Sequence, residues 1–323
     1  MFYFAACDNM AESTEFLDEL VSKFVKASLA ESTKAVYRSQ LKAYLVFCTT
    51  YGFEPVPASS ELLCRYVAFL SLRLKYSSIR QYLNIVGILH VDNDLKNPVT
   101  GNPRLRAVLK GVRRCKGDSV TRKLPMTISI LRKIRNLLDM SSSEHCTFWA
   151  ACLLAFYGML RKSSMFPPKN KQSTLSDVKL YKWGLMISFK YSKTVQFNQR
   201  HPFVVLPWGS DVELCPVLAL VTAWRNAGCS DITNPLLPIR HESSISPLLQ
   251  STFSCKLKEV FHDLGLLGYS GHSFRRGGAT HALSCGVPSE IIKAQGDWSS
   301  LAYLDYIHVG QASKRAKFLV KFM

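Results

Sequence analysis

Thirteen residues from Phe148 to Leu160, FWAACLLAFYGML, carry no charge. A helix that is apolar on every side has no face to turn to water and must sit inside a core. The run falls short of the ~20 residues that span a bilayer, so protein has to surround it. It ends on Arg161-Lys-Ser-Ser. A cation at the end of a buried helix is an unusual placement unless it points into a cleft.

The rest of the chain supplies that surrounding in two styles. The first third reads as helices alone. Residues 12–30 place Phe16, Leu17, Leu20, Val21, Phe24 and Val25 at helical spacing. A second helix runs through Cys48 behind a cap at Ser32 or Thr33, and a third follows Ser59 or Ser60 with Leu62, Leu63, Tyr66, Val67, Phe69 and Leu70 inward. A fourth starts at Tyr76 and is expected to stop at Asn97-Pro98, and a short fifth covers 104–114. After Leu124-Pro-Met, helices are expected over 128–138, 148–160, 215–227 and 247–264, and another carries Gly271 onward. Between them the period changes to two, giving strands near 178–181, 185–190 and 203–207. The expected fold is mainly α with a small antiparallel β-sheet, in two domains.

Forty-one basic against twenty-three acidic residues leave a formal charge of +18, which points to a polyanionic partner. The charge is concentrated: Arg104, Arg106, Lys110, Arg113, Arg114, Lys116, Arg122 and Lys123 face only Asp118. This run falls at the break around Lys116-Gly-Asp-Ser119, where a basic hinge suits clamping a duplex. The ten cysteines form no Cys-x-x-Cys pair, so neither zinc nor a disulfide framework is expected. The short apolar start, Met1 to Cys7, lacks a basic leading region and does not read as a signal peptide. No membrane span is expected.

Chemistry is concentrated in Gly271–Val309, GHSFRRGGATHALSCGVPSEIIKAQGDWSSLAYLDYIHV. Phosphodiester cleavage without a metal needs the protein itself to neutralise charge on the pentacoordinate phosphorus. Two guanidiniums suit this, because each stays protonated and presents a rigid fork of donors. Arg161 and Arg275 are the candidates. His272 can donate to a phosphate oxygen or accept the nucleophile's proton. Lys193, in the polar connection between strands, is placed to protonate a leaving oxygen, with Lys190 close by. Tyr306 is the candidate nucleophile.

In this order and spacing, Arg161, Lys193, His272-x-x-Arg275 and Tyr306 resemble the tyrosine recombinases, the phage-integrase family, over nearly the whole chain from about residue 12. The style of GHSFRRGGATHALSCGVP and of LKGVRRCKG resembles its eukaryotic mobile-element branch, of the Crypton or DIRS kind. Two positions depart from the family pattern. Ser164 stands where an acid is common, and Asp297 occupies the slot after Gly296 usually held by His or Trp. An ionised carboxylate there would repel a phosphate, so Trp298 is expected to take the role through its indole N–H.

The resemblance implies an N-terminal helical core-binding (SAM-like) domain over 10–115, a basic linker at 116–123 and a catalytic domain over 124–323. It implies a site-specific recombinase on double-stranded DNA that works through a 3′-phosphotyrosine and a Holliday junction. No metal or cofactor is implied, and the implied assembly is a homotetramer. Residues 311–323, with Phe318, Leu319, Val320 and Phe322, would dock into a neighbour or onto their own domain. Nuclear residence follows from the same resemblance. Two other readings stay open: a catalytically inactive, domesticated DNA-binding protein of the same fold, and a type IB topoisomerase.

Overall fold

The structure is a computed structural model that describes residues 14–119, 122–192, 202–298 and 300–306. The chain divides into two compact units, Met1–Thr121 and Arg122–Met323.

Among the described residues, the elements of the first unit are all helices: α1 (Thr14–Ala27), α2 (Glu31–Tyr51), α3 (Ser60–Ser71), α4 (Tyr76–Val91) and α5 (Pro103–Lys116). Tyr44, Phe47, Leu63, Tyr66, Val67, Ile79, Val86 and Leu105 form its core. Local chemistry sets several boundaries. Ser59 Oγ accepts from the Leu62 N–H at 3.1 Å and starts α3. Asn102 Oδ1 accepts from the Leu105 N–H at 3.0 Å and starts α5, with Pro103 at its first position. Two expectations miss. α2 begins behind Ala30, which offers no side-chain cap, rather than at Ser32 or Thr33. α4 ends at Val91, well before Asn97-Pro98, and the chain turns through Asp94 in the left-handed region at φ 57°. α1 has the helical spacing its sequence promised but buries none of its residues.

The second unit contains α6 (Ile128–Asn136), α7 (Ser143–Tyr157), α8 (Lys162–Met165), β1 (Val178–Tyr181), β2 (Gly184–Ser188), β3 (Phe203–Pro207) and α9 (Pro216–Ala227). β4 (Pro238–Arg240), β5 (Ile245–Pro247), α10 (Gln250–Asp263), α11 (Gly271–Ser284), α12 (Ser289–Gln295) and a 3-10 turn over Leu301–Asp305 follow. The apolar segment forms most of α7, which is buried continuously from Cys146 to Phe156 and packs against α9 and α11. Phe148, Trp149, Leu153, Leu154 and Phe156 are almost wholly hidden. At ~1.5–3 kcal/mol for each large apolar side chain, their burial outweighs any local preference. The helix starts earlier than its apolar run, at the Ser142 cap.

Strands pair in the order β1-β2-β3, all antiparallel, with Leu185 opposite Leu206 and Ile187 opposite Val204 on the buried face. A second sheet, β4 with β5, was not expected. It takes the residues just before α10, so the helix expected from 247 begins at Gln250. Three-residue strands are too short for a period of two to register. Among the described residues no helix is long and apolar enough to cross a membrane.

Candidate active site

α11 lies close against its neighbours because two of its residues have no side chain. A Cβ on Gly278 would sit 1.9 Å from the Phe156 carbonyl oxygen, and one on Gly277 would sit 2.1 Å from that of Met126. This approach seats Arg275 beneath the end of α7, where it is 1% exposed.

Both arms of its guanidinium hold a strained turn. α7 closes at Gly158, and Met159 then takes a left-handed φ of 48°. Its carbonyl accepts from Arg275 Nη1. This turn delivers Arg161, half-buried, to the start of α8. On the other side Arg275 Nη2 donates to the Gly296 carbonyl at 2.7 Å. The next residue, Asp297, has φ 52° and is, with Met159, the second left-handed non-glycine among the described residues of this unit. Such conformations cost on the order of 1–3 kcal/mol each and persist where the surroundings impose them. The charged donor of Arg275 is part of what imposes these two.

Two rings cover the arginine. Its guanidinium carbon is 3.8 Å from the centre of the Trp298 ring and 5.1 Å from that of Tyr306. The rings themselves are 5.3 Å apart. Trp298 also lies flat on Gly296, where an added Cβ would come within 1.7 Å of it. Tyr306 directly follows the 3-10 turn. Among the described residues, Arg275 Nε and Trp298 Nε1 are buried donors without a hydrogen-bond partner. A buried donor left unpaired costs ~1–3 kcal/mol.

The electrostatics are mutually adjusted. Burial, then the positive charge of Arg161, pull Arg275 down to about 9, while Tyr306 and Asp297 work the other way. It stays protonated at neutral pH. His272 is exposed on the first turn of α11, yet its pKa is lowered. Partial desolvation of the ring is the main cause, followed by the charges of Arg275, Lys162 and Arg161. His272 is therefore neutral at pH 7 and able to accept a proton. The charge of Arg161 thus acts on both His272 and Arg275, as their spacing in sequence could not show.

Lys193 lies outside the described residues. Lys190 is described, and its Nζ pairs with Asp177 Oδ2 at 3.1 Å. Asp297 was expected to confront a phosphate. Instead its Oδ2 accepts from Ser192 Oγ at 2.9 Å, and the left-handed turn at Asp297 brings Trp298 over Arg275. Ser164 is buried. Ser192 and Gln295 had no signal in the sequence, because their roles come from pairing across 105 and 90 residues.

The basic run also resolves into different roles. Leu105, Val108, Leu109 and Val112 of α5 pack on the first core and turn Arg104, Arg106, Lys110, Arg113 and Arg114 outward. Arg113 pairs with Asp118 at 2.8 Å. Lys116 turns back, donating Nζ to the Leu74 carbonyl at 3.0 Å and to that of Ser71, so it caps the end of α3. Arg122 and Lys123 belong to the second unit.

No protein-family model matches the chain. An integrase/recombinase XerD homolog from Selenomonas ruminantium is 24% identical over 292 residues, which is 88% of this chain and 83% of that protein. A lambda integrase dimer bound to a core site superposes with a TM-score of 0.61 at 16% identity, covering 91% of this chain and 94% of the other. A lambda integrase tetramer bound to a Holliday junction gives 0.58 at 15% identity, covering 91% and 76%. The fold is the two-domain, mainly helical fold of the tyrosine recombinases. Within that class, the likenesses of sequence and fold support the tyrosine recombinase/integrase family.

Proposed function

We propose that this chain is a tyrosine recombinase that cuts and rejoins double-stranded DNA. The observation that carries the reading is the arrangement at Arg275. A phenol and an indole stack over a buried guanidinium, and two buried donors, Arg275 Nε and Trp298 Nε1, await an acceptor. A non-bridging phosphate oxygen is such an acceptor. Because Arg275 is 1% exposed, the Tyr306 ring must shift as the phosphate enters. That movement would also free the hydroxyl to attack.

In this reading the Tyr306 Oη–phosphorus bond forms while the bond from phosphorus to the 5′ oxygen breaks. His272, neutral at pH 7, takes the phenol proton. Lys193 protonates the leaving 5′ oxygen. Arg161, Arg275 and Trp298 stabilise charge on the phosphorane oxygens, the work of an oxyanion hole. The bond energy stays in the 3′-phosphotyrosine, so a second strand can rejoin. The lambda integrase tetramer on a Holliday junction supports two such rounds within a homotetramer here. The proposed division of labour is a core-binding domain over 10–115, a basic linker at 116–123 and a catalytic domain over 124–323. Service to a mobile element of the Crypton or DIRS kind, and nuclear residence, rest on the sequence resemblance.

The test is a pool of nicked duplexes with randomised sequence, incubated with the chain and denatured. Covalent protein–DNA complexes are expected with the wild type and not with Tyr306→Phe. Binding without any complex would leave a DNA-binding protein of the same fold. Complexes that relax supercoils as a monomer would favour a topoisomerase.

A further inference from the structure

The helix α1 has an apolar face with no core beneath it. Its sequence, TEFLDELVSKFVKA, repeats Leu17, Leu20, Val21, Phe24 and Val25 at helical spacing, which puts all of them on one face. Yet α1 buries none of its residues, and Leu17, Val21, Phe24 and Val25 are 48%, 59%, 65% and 66% exposed. Isolated helices shorter than ~12–15 residues are marginal in water. With 14 residues, α1 is ~21 Å long at ~1.5 Å per residue. It gains stability when a second apolar surface covers the stripe.

The charges on α1 indicate which surface that is. Its first half carries Glu15, Asp18 and Glu19, and its second half carries Lys23 and Lys26. Among the described residues none of these side chains makes an ion pair within the chain. A basic partner would suit the acids but repel the lysines, and an acidic partner would do the reverse. Both halves are satisfied by a partner of opposite polarity along its length. A second α1 laid antiparallel is such a partner: the acidic half of each helix meets the basic half of the other, and the helix dipoles oppose one another. Laid parallel, it would set acid against acid and base against base. In the antiparallel pair the apolar stripes also face each other end to end. The same patch serves both copies, so the contact closes at two.

We propose that α1 is a self-association surface that pairs antiparallel with α1 of a second copy of this chain. The contact needs no DNA and does not depend on the strand-cleavage reading. Two 14-residue helices make a small interface, at or below the low end of the ~1,200–2,000 Å² of stable complexes, so the dimer is weak.

Sedimentation equilibrium of the full chain without DNA, over about 1–100 μM and in about 0.15 M salt to screen the net charge, tests this. The wild type is expected to shift from monomer to dimer across that range. The double variant Leu17→Glu, Phe24→Glu should stay monomeric with an unchanged melting temperature, because α1 buries nothing in its own fold. An all-basic α1 (Glu15→Lys, Asp18→Lys, Glu19→Lys) and an all-acidic one (Lys23→Glu, Lys26→Glu) should each be monomeric alone. Mixed in equal amounts they should form a dimer again. A wild type that stays monomeric at the highest concentration, or a dimer that these substitutions leave intact, overturns the proposal. So does a mixture that fails to restore the dimer, since α1 would then dock on a different surface. A monomeric wild type whose melting temperature falls in the Leu17/Phe24 variant would show α1 covered by its own chain, and would overturn it too.

Discussion

The guanidinium of Arg275 lies 3.8 Å beneath the centre of the Trp298 ring, and its two arms hold the carbonyls of Met159 and Gly296. One side chain therefore closes two left-handed turns, one leading to Arg161 and the other to Trp298. A desolvated cation over an indole contributes on the order of 2 kcal/mol, and hydrogen bonds from a charged donor ~1.5–3 kcal/mol. Arg275 is thus structural and, in the proposed reaction, chemical as well.

Arg275→Lys tests that double role. A lysine ammonium has no planar fork and cannot span both carbonyls. Thermal or urea unfolding should show a loss of about 2–4 kcal/mol. Covalent complex formation should fall by ~100-fold or more, as when an oxyanion-hole donor is removed. An unchanged midpoint would contradict the bonding described here.

Gly296→Ala should dislodge Trp298, since the new Cβ would come within 1.7 Å of its ring. Overpacking of this kind costs typically ~1–3 kcal/mol. The expected signature is a change in tryptophan fluorescence together with loss of cleavage. Gly278→Ala meets the Phe156 carbonyl, which is backbone and cannot swing away. It should therefore destabilise the protein more than Gly296→Ala.

His272 predicts an acid limb. Its folded pKa lies below the ordinary 6.5, so the folded chain refuses a proton that the unfolded chain accepts. Stability is then full above about pH 6.5 and declines as pH falls through the window below it. The rate of complex formation should fall in the same direction, as His272 loses its capacity to accept a proton. In His272→Gln both effects should flatten, as read by urea midpoints and initial rates between pH 5 and 7.5.

The basic residues of α5 predict a separation between stability and salt dependence. Arg106, Lys110 and Arg114 are exposed, and if each meets a phosphate, changing it to Gln should reduce the slope of log affinity against log salt by ~0.9. Lys116→Met should leave that slope nearly unchanged and lower the melting temperature, because Lys116 caps α3. A fluorescence titration at several salt concentrations distinguishes the two groups.

Much of the fold was legible in the chain. Phe148–Tyr157 lies in a central helix as expected, although Gly158–Leu160 fall beyond its end, and the Ser59 cap, β1 and β3 stand where periodicity put them, while β2 stops at Ser188 rather than at 190. The misses have local causes. The β4–β5 pair is too short to show a period, and α4 stops at Val91, ahead of a left-handed Asp94 that the later Asn97-Pro98 overshadowed. α1 shows a limit of a different kind: an apolar stripe can be read from sequence, but whether anything covers it cannot.

The sequence by itself determined which groups are available: two arginines, a histidine, an indole and a phenol, in an order that resembles one family. That much is a matter of residue type and spacing along the chain. Only the tertiary structure decided how they are held. Whether Asp297 faces a phosphate or Ser192 depends on the sign of one φ angle and on a residue 105 positions away. Whether Lys116 faces outward or caps α3 depends on where two carbonyls end up. Local spacing fixes the face a residue occupies on its own helix, but its partner is fixed by packing that joins distant parts of the chain.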